Sequence, residues 1–261
     1  MALINPSQIT TEYVVINSID RSTVGSESME KMRVQLAETQ RIEQIELISF
    51  TSPPTYNVRG STSSNQNNQL TFDEGGADLT ATVAAGAHSS SSLATALKTA
   101  LDAASTLPQT YTVTFSSTTF KYTISAAGAF TLQFSLNASL ARMLGFAAED
   151  TASATSHTGT NMADLTDGVR HLFITIDGIH SPVNSTNTTI PRAAFVVPLV
   201  TDTSTGAFNF HLSETNYKQC MSAHSAKVNA IYVALHQDNG KAPEFNGVNW
   251  SMVLRIQKRH T

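Results

Sequence analysis

Apolar and polar residues alternate with a period of two in three runs near the middle of the chain. Tyr111, Val113 and Phe115 alternate with Thr112 and Thr114; Phe120, Tyr122 and Ile124 with Lys121 and Thr123; Phe130, Leu132 and Phe134 with Thr131 and Gln133. That period, carried by aromatic and β-branched residues, predicts three strands of a sheet with one buried face. A further strand is predicted at 79–83. Between it and the other three, Leu93, Leu97 and Leu101 recur at i, i+4 and i+8, with Ala94, Ala96, Ala100 and Ala104 beside them. This stripe predicts a helix that covers the sheet at close approach. The run Ser89 to Ser92 offers its N-cap. A second, short helix is predicted from an Asn137 cap to Gly145 in the C′ position, burying Leu140 and Leu144.

The pattern on either side is also that of strands. Met32, Val34 and Leu36 alternate with Arg33 and Gln35, predicting a half-exposed strand at 32–37. The run 42–50 is more apolar, with Ile45, Leu47 and Ser49 on one face and Ile48 and Phe50 on the other, as in the middle of a sandwich. Pro53 and Pro54 end it, because proline cannot donate to a ladder. Leu172, Ile174 and Ile176 share one face of a strand at 171–177, with Asp177-Gly178 as a turn signal. The run 193–200 is apolar on both faces and broken by Pro198, which places it at an edge or a bulge. A short strand follows at 207–212, a central one at 227–237, and a last one at 250–257 with Trp250, Met252, Leu254 and Ile256 alternating. The strands outside the helix-containing unit number seven or eight, which is what a jelly-roll sandwich needs.

Two polar runs, 60–69 and 147–168, bracket that unit. The first has a composition that can bury nothing and is expected at a surface. The expected organisation is therefore mainly β: a single jelly-roll β-sandwich over 31–261, interrupted by an inserted α/β subdomain at 60–168, with 1–30 as an N-terminal arm. The bracketing fits a boundary between two domains as well as an insertion. The apolar run 13–16 fits a first strand of the sheet as well as an arm.

Composition narrows the class. Charged residues are 14% of 261, and Ser, Thr and Asn are abundant, as in strand-and-loop proteins and in particles packed against neighbours. A net charge of −4 argues against a broad nucleic-acid-binding face, so no specific nucleic acid is expected. The basic cluster Arg255, Lys258, Arg259 and His260 reads as a solvated tail. A single cysteine, Cys220, excludes an intramolecular disulfide and a cysteine-rich metal site, and is expected as a buried or half-buried thiol. No run approaches the roughly 18 apolar residues that span a bilayer. The first residues carry neither a positive nor an apolar signal region, so synthesis in the cytoplasm is expected. The sequons at Asn137, Asn184, Asn187 and Asn249 then read as chance.

No phosphate-binding, zinc-helix or nucleophile-elbow motif is present. His171, His180, His224 and His236 flank strands, yet none sit two apart as ligands on one strand face would. Asp73, Glu74 and Asp78, and again Glu149 and Asp150, could serve a glycosidase or bind calcium, but both clusters lie in or beside polar loops and read as solvated. No catalytic, cofactor-binding or metal residue is assigned, and no cofactor is expected.

The run IELISFTSPPTYNV (45–58), followed by LTF, LTATVAAG, a Leu/Ala helix, YTVTF, FKYTIS, AFTLQF and LARMLGF, resembles a pattern in penton and minor capsid proteins of jelly-roll fold. These belong to large double-stranded DNA viruses and related smaller, virophage-like viruses. The resemblance covers about half of the chain, 45–146, and is one of order and residue type. It implies a non-enzymatic virion component whose partners are the major capsid protein, neighbouring minor proteins and further copies of itself, pentameric if it is a penton. Two other readings stay open. A receptor- or carbohydrate-binding spike head would need loop aromatics, of which Tyr56, Tyr217 and Phe245 are the few available. A sugar-cleaving jelly roll would need two facing carboxylates. A flat apolar patch favours the first reading, a concave aromatic groove the second and paired acids the third.

Overall fold

The computed structural model describes residues 9–21, 31–60, 63, 66–108, 110–177, 183–184, 190, 192–201, 208–212, 219–222 and 227–259. In chain order these form β1 (Ile9–Asn17), β2 (Lys31–Thr51), β3 (Gln69–Asp73), β4 (Leu79–Thr82), helix α1 (Ser90–Ala104), β5 (Thr112–Ser116), β6 (Lys121–Leu132) and helix α2 (Ala141–Leu144). There follow β7 (Ala154–Thr158), β8 (His171–Asp177), β9 (Val183–Asn184), β10 (Arg192–Ala193), β11 (Phe195–Thr201), β12 (Phe208–Leu212), β13 (Gln219–Ser222), β14 (Lys227–Gln237) and β15 (Ser251–Arg259). The fold is mainly β with antiparallel sheets, as the alternation predicts, and is consistent with a β-sandwich of jelly-roll type. Two compact units arise: 1–55, 169–201 and 209–261 form the first, 56–168 with 202–208 the second.

In the first unit β2 is the spine. The sequence predicts two strands here, but they are one of 21 residues, because no glycine or proline punctuates the run between Leu36 and Ile42. Along one edge β2 pairs successively with β14, β13 and β12, and along the other with β15, which holds β1 on its far side. From β14 the pairing runs through β8, β11 and β12 back to β2, so the path closes on itself. The buried positions Ile42, Ile45, Leu47 and Phe50 are not evenly spaced, and the register with β15 shows why. Gln257 faces Gln44 while Lys258 faces Ile42, and Leu254 faces Leu47 while Val253 faces Ser49, which leaves Glu43 and Ile48 as extra residues. Each is a bulge that resets the alternation, and Phe50, expected opposite Ile45 and Leu47, joins them inside.

The core of this unit is completed by Leu172, Ile174 and Ile176 of β8, Ile231, Val233 and Leu235 of β14, and Trp250, Met252, Leu254 and Ile256, all on the faces predicted. Pro198 does not put its strand at an edge: β11 lies between β12 and β8, and Pro198 is the last residue in register with β8, opposite His171. Within the segment expected as an arm, Ile9–Asn17 is a strand of the chain's own sheet, held by the inward Val14 and Ile16 and paired residue for residue with β15. Arg255 and Lys258 are not a solvated tail. Both lie in β15, ion-paired to Glu46 and, at 2.9 Å, to Glu12. Cys220 lies in β13, and its side chain is outside the described residues, as are His180, Asn187, Tyr217, His224, His260 and the turn at Gly178.

The second unit is a five-stranded sheet in the order β4-β3-β6-β5, with β7 on β6. Leu93, Ala94, Leu97, Ala100 and Leu101 bury one stripe of α1 in its core, and the Ser89 hydroxyl caps the helix by accepting the Ser92 N–H at 3.2 Å. The two strands predicted at 120–125 and 129–134 are one continuous β6, whose irregularity against β7 falls between Ser125 and Phe130. The polar run 147–168 is not all loop, since it supplies β7, in which His157 is buried with its ring edge-on to Phe130 at 4.5 Å. Asn137 does not cap α2. Its Oδ1 accepts the Ser139 N–H at 3.0 Å one turn earlier, and α2 is a single turn ending, as predicted, at Gly145 with φ of 80°. A Cβ at Gly145 would run into the Asn161 carbonyl.

Phe120 departs from its expected buried face. It closes the β5–β6 hairpin with φ of 55° and is 48% exposed, its ring 6.3 Å from that of Phe115. A left-handed position suits glycine and strains a bulky side chain. Phe120→Gly is expected to stabilise the protein by about 1 kcal/mol, the size of that strain less the lost ring contact. Chemical denaturation measures it; a fall in stability would mean that the Phe115 contact outweighs the strain.

Candidate functional site

The acidic clusters of the sequence are taken up by local donors. Asp73 Oδ1 accepts the N–H groups of Gly75 and Gly76 at 2.7 and 2.8 Å, closing a turn. Glu74 receives the Ser105 hydroxyl at 2.6 Å, the Tyr111 hydroxyl at 2.9 Å and the Thr106 N–H at 3.2 Å, tying β3 to the end of α1. Asp78 accepts the Gln133 amide at 2.8 Å. Asp150 accepts the N–H and hydroxyl of Ser135 at 2.8 and 2.7 Å, and these bonds hold its carboxyl below the usual range. At Asp102 burial would raise the carboxyl, but hydrogen bonds from Lys98 and from the Tyr111 N–H outweigh it and lower it. Each of these acids is thus engaged by its own donors, whereas sugar cleavage requires two carboxyl groups facing the same bond.

His171 and His236 each lie against a neighbouring side chain. His171 Nδ1 lies 3.1 Å from Asp238, whose other oxygen accepts the N–H groups of Arg170 and His171 at 2.6 Å. His236 lies 3.5 Å from the Thr175 hydroxyl; burial pushes its imidazole below the usual value against the opposing pull of the Gly240 backbone and Asp177. Burial also pushes the Tyr122 phenol up, and its hydroxyl donates to the Ser90 carbonyl at 2.8 Å. Among the described residues no three of His, Cys, Asp and Glu come together as a metal site.

The run 60–69, expected to bury nothing, contains the centre of a buried polar network. Asn67 and Asn68 are buried, as are Asn57 and Arg59. Asn67 Oδ1 accepts the Arg59 N–H at 2.7 Å, and its amide donates to the Asn57 carbonyl at 2.8 Å and to Asp167 at 3.0 Å. The Arg59 guanidinium closes the set on the same Asp167 oxygen at 2.6 Å. Asn68 donates to the Val83 carbonyl at 2.9 Å and Asn57 to that of His88 at 2.8 Å. Side-chain amides here replace the ladder partners that an irregular chain lacks, which is the condition for burying backbone. The signal in the sequence is two adjacent asparagines directly before a strand.

Among the described residues of the first unit, an extended surface feature lies on the outer face of β1, β15 and β2. Three rungs cross it: Asn17, Ser251 and Thr51; Val15, Val253 and Ser49; Tyr13, Arg255 and Glu46. Tyr13 and Val15 are each 61% exposed, and Ile19 and Val248 are 66% and 53% exposed. The first rung is the floor of an open hollow of about 420 Å3, bordered by Ile19, Pro53 and Val248. Ser18 fixes its shape by donating to Asn249 at 3.1 Å and accepting the Trp250 N–H at 2.9 Å. Trp250 is the aromatic residue that lines the hollow, but it is buried and offers no ring face to a ligand. At the other end Arg255 is ion-paired to the buried Glu46. Sequence reasoning missed this face, because in a strand of alternating residues the exposed tyrosine and valine look no different from buried ones.

No family model matches the chain, and no curated protein matches it. Among solved structures it is similar to the penton protein of mavirus, with 7% sequence identity and a TM-score of 0.45, over 95% of this chain and 100% of that one.

Proposed function

We propose that the chain is a structural, non-enzymatic subunit of a viral shell, a penton or minor capsid protein working in the virion. The observation that carries this reading is the outer face of β1, β15 and β2, where Tyr13 and Val15 stand exposed and Arg255 is paired to Glu46, with Ile19 and Val248 exposed beside the hollow at its end. Large apolar side chains left exposed on one side of a sheet fit a protein–protein contact. A sugar-binding head would need a concave groove with an aromatic platform, and the aromatic in the hollow is buried. A sugar-cleaving enzyme would need facing carboxylates, and Asp73, Glu74, Asp78 and Asp150 bind their own neighbours instead. The partners are then other shell proteins and further copies of the chain. Light scattering over a concentration series, combined with electron microscopy, tests the assignment. A five-membered ring is the expected result for a penton, and a species that adds onto shells of the major capsid protein is the expected result for a minor protein. A stable trimer that binds glycans and no shell protein would overturn both.

A further inference from the structure

We propose that the second unit is a self-closing folding module, sealed by Arg59, Asn67 and Asp167 where the chain enters and leaves it, which opens and closes as a block independently of the first unit. Its buried apolar residues, from Val58 to Phe146, form one core, and those of the first unit form another. A segment with a core of its own meets the first condition for folding alone. The second condition is that its ends be held, because the first and last residues of a domain fray unless something ties them down.

Both ends are tied inside the unit. At the entrance the Asn57 amide donates to the His88 carbonyl and its Oδ1 accepts the His88 N–H, each at 2.8 Å. Val58 exchanges backbone bonds with Gly86 at 3.2 and 2.9 Å. At the exit the Ala163 N–H donates to the Phe120 carbonyl at 2.8 Å and the Asp164 N–H to that of Arg142 at 3.2 Å. Asp164 accepts the Gly168 N–H at 3.2 Å, and Asp167 and Gly168 take left-handed φ of 54° and 80°, so the chain leaves through a fixed turn. Val169, the next residue, is already buried in the core of the first unit. The ion pair joins the two ends directly. Arg59 and Asp167 stand 108 positions apart in the chain, yet their side chains meet at 2.6 Å. Asn67 bridges them, accepting the Arg59 N–H at 2.7 Å and donating to Asp167 at 3.0 Å. All of these partners belong to the second unit, so opening the first removes none of the bonds.

The test uses the full chain and amide hydrogen exchange read by mass spectrometry, at β8 and β15 for the first unit and at α1 and β6 for the second. Trp250→Ala, in the first core, is expected to speed exchange of β8 and β15 by about hundredfold or more. It should leave α1 and β6 within about twofold of the parent, as sites in independent blocks do not couple. Arg59→Ala is expected to do the reverse, speeding α1 and β6 about hundredfold or more and sparing β8 and β15. Asp167→Asn should act in the same direction and more weakly, so a readout remains where Arg59→Ala unfolds the second unit outright. That outcome, with β8 and β15 still protected, also upholds the module. Equal acceleration of both sets by Trp250→Ala or by Arg59→Ala would overturn it, since a single cooperative block opens as a whole. Unchanged exchange of α1 and β6 in both Arg59→Ala and Asp167→Asn would overturn the seal.

Discussion

Arg59→Ala is expected to destabilise the protein by about 3–5 kcal/mol, the cost of removing one partner from a buried, hydrogen-bonded ion pair. Arg59 is buried, its guanidinium is 2.6 Å from Asp167, and the same carboxylate oxygen accepts the Asn67 amide at 3.0 Å. Taking away the guanidinium leaves that oxygen with a single weak donor in a poorly solvated place. Asp167→Asn separates charge from geometry. Asparagine tolerates the left-handed backbone of this residue, φ of 54°, and keeps an oxygen for Asn67 to donate to. It should therefore cost less than Arg59→Ala, and the double variant should cost less than the sum of the singles, because the two side chains act on one another. Urea denaturation of the four proteins measures the coupling. Additive losses would show that Arg59 contributes through its packed stem and not through Asp167.

This network also marks where the sequence ceases to be legible. Elements whose residues bury one face in regular alternation are readable in advance: β8, β15, α1 with its Ser89 cap, and the glycine stop at Gly145 lie where the pattern puts them. What defeats the pattern is chain that changes phase or buries polar groups. The bulges at Glu43 and Ile48 shift β2 by one residue, so its second half reads with the wrong face inward. The segment around Asn67 is polar and of low complexity, which in a sequence means solvated loop, yet amide side chains that bond to backbone can be buried as readily as a strand. The exposed face of β1 was unreadable for the opposite reason. A row of Tyr13 and Val15 alternating with Val14 and Ile16 has two apolar faces, and only the side of the sheet on which the core packs decides which one is left outside.

Trp250→Ala should remove about 3–5 kcal/mol, the range for truncating a large buried aromatic. Trp250 is buried, its ring stacks on Phe50 with centroids 5.8 Å apart, and its backbone holds Ser18 from both directions, through the Ser18 N–H at 3.0 Å and the Ser18 hydroxyl at 2.9 Å. Phe50 is the residue that the Ile48 bulge turns inward, so the stack depends on that bulge as much as on the tryptophan. Trp250→Phe keeps an aromatic ring against Phe50 and should cost clearly less. As the chain has one tryptophan, circular dichroism and not fluorescence must follow the unfolding. Both bonds to Ser18 are made by the backbone of residue 250 and survive either substitution. A loss as small for Trp250→Ala as for Trp250→Phe would show that these bonds, and not the stacked ring, hold this end of the sheet together.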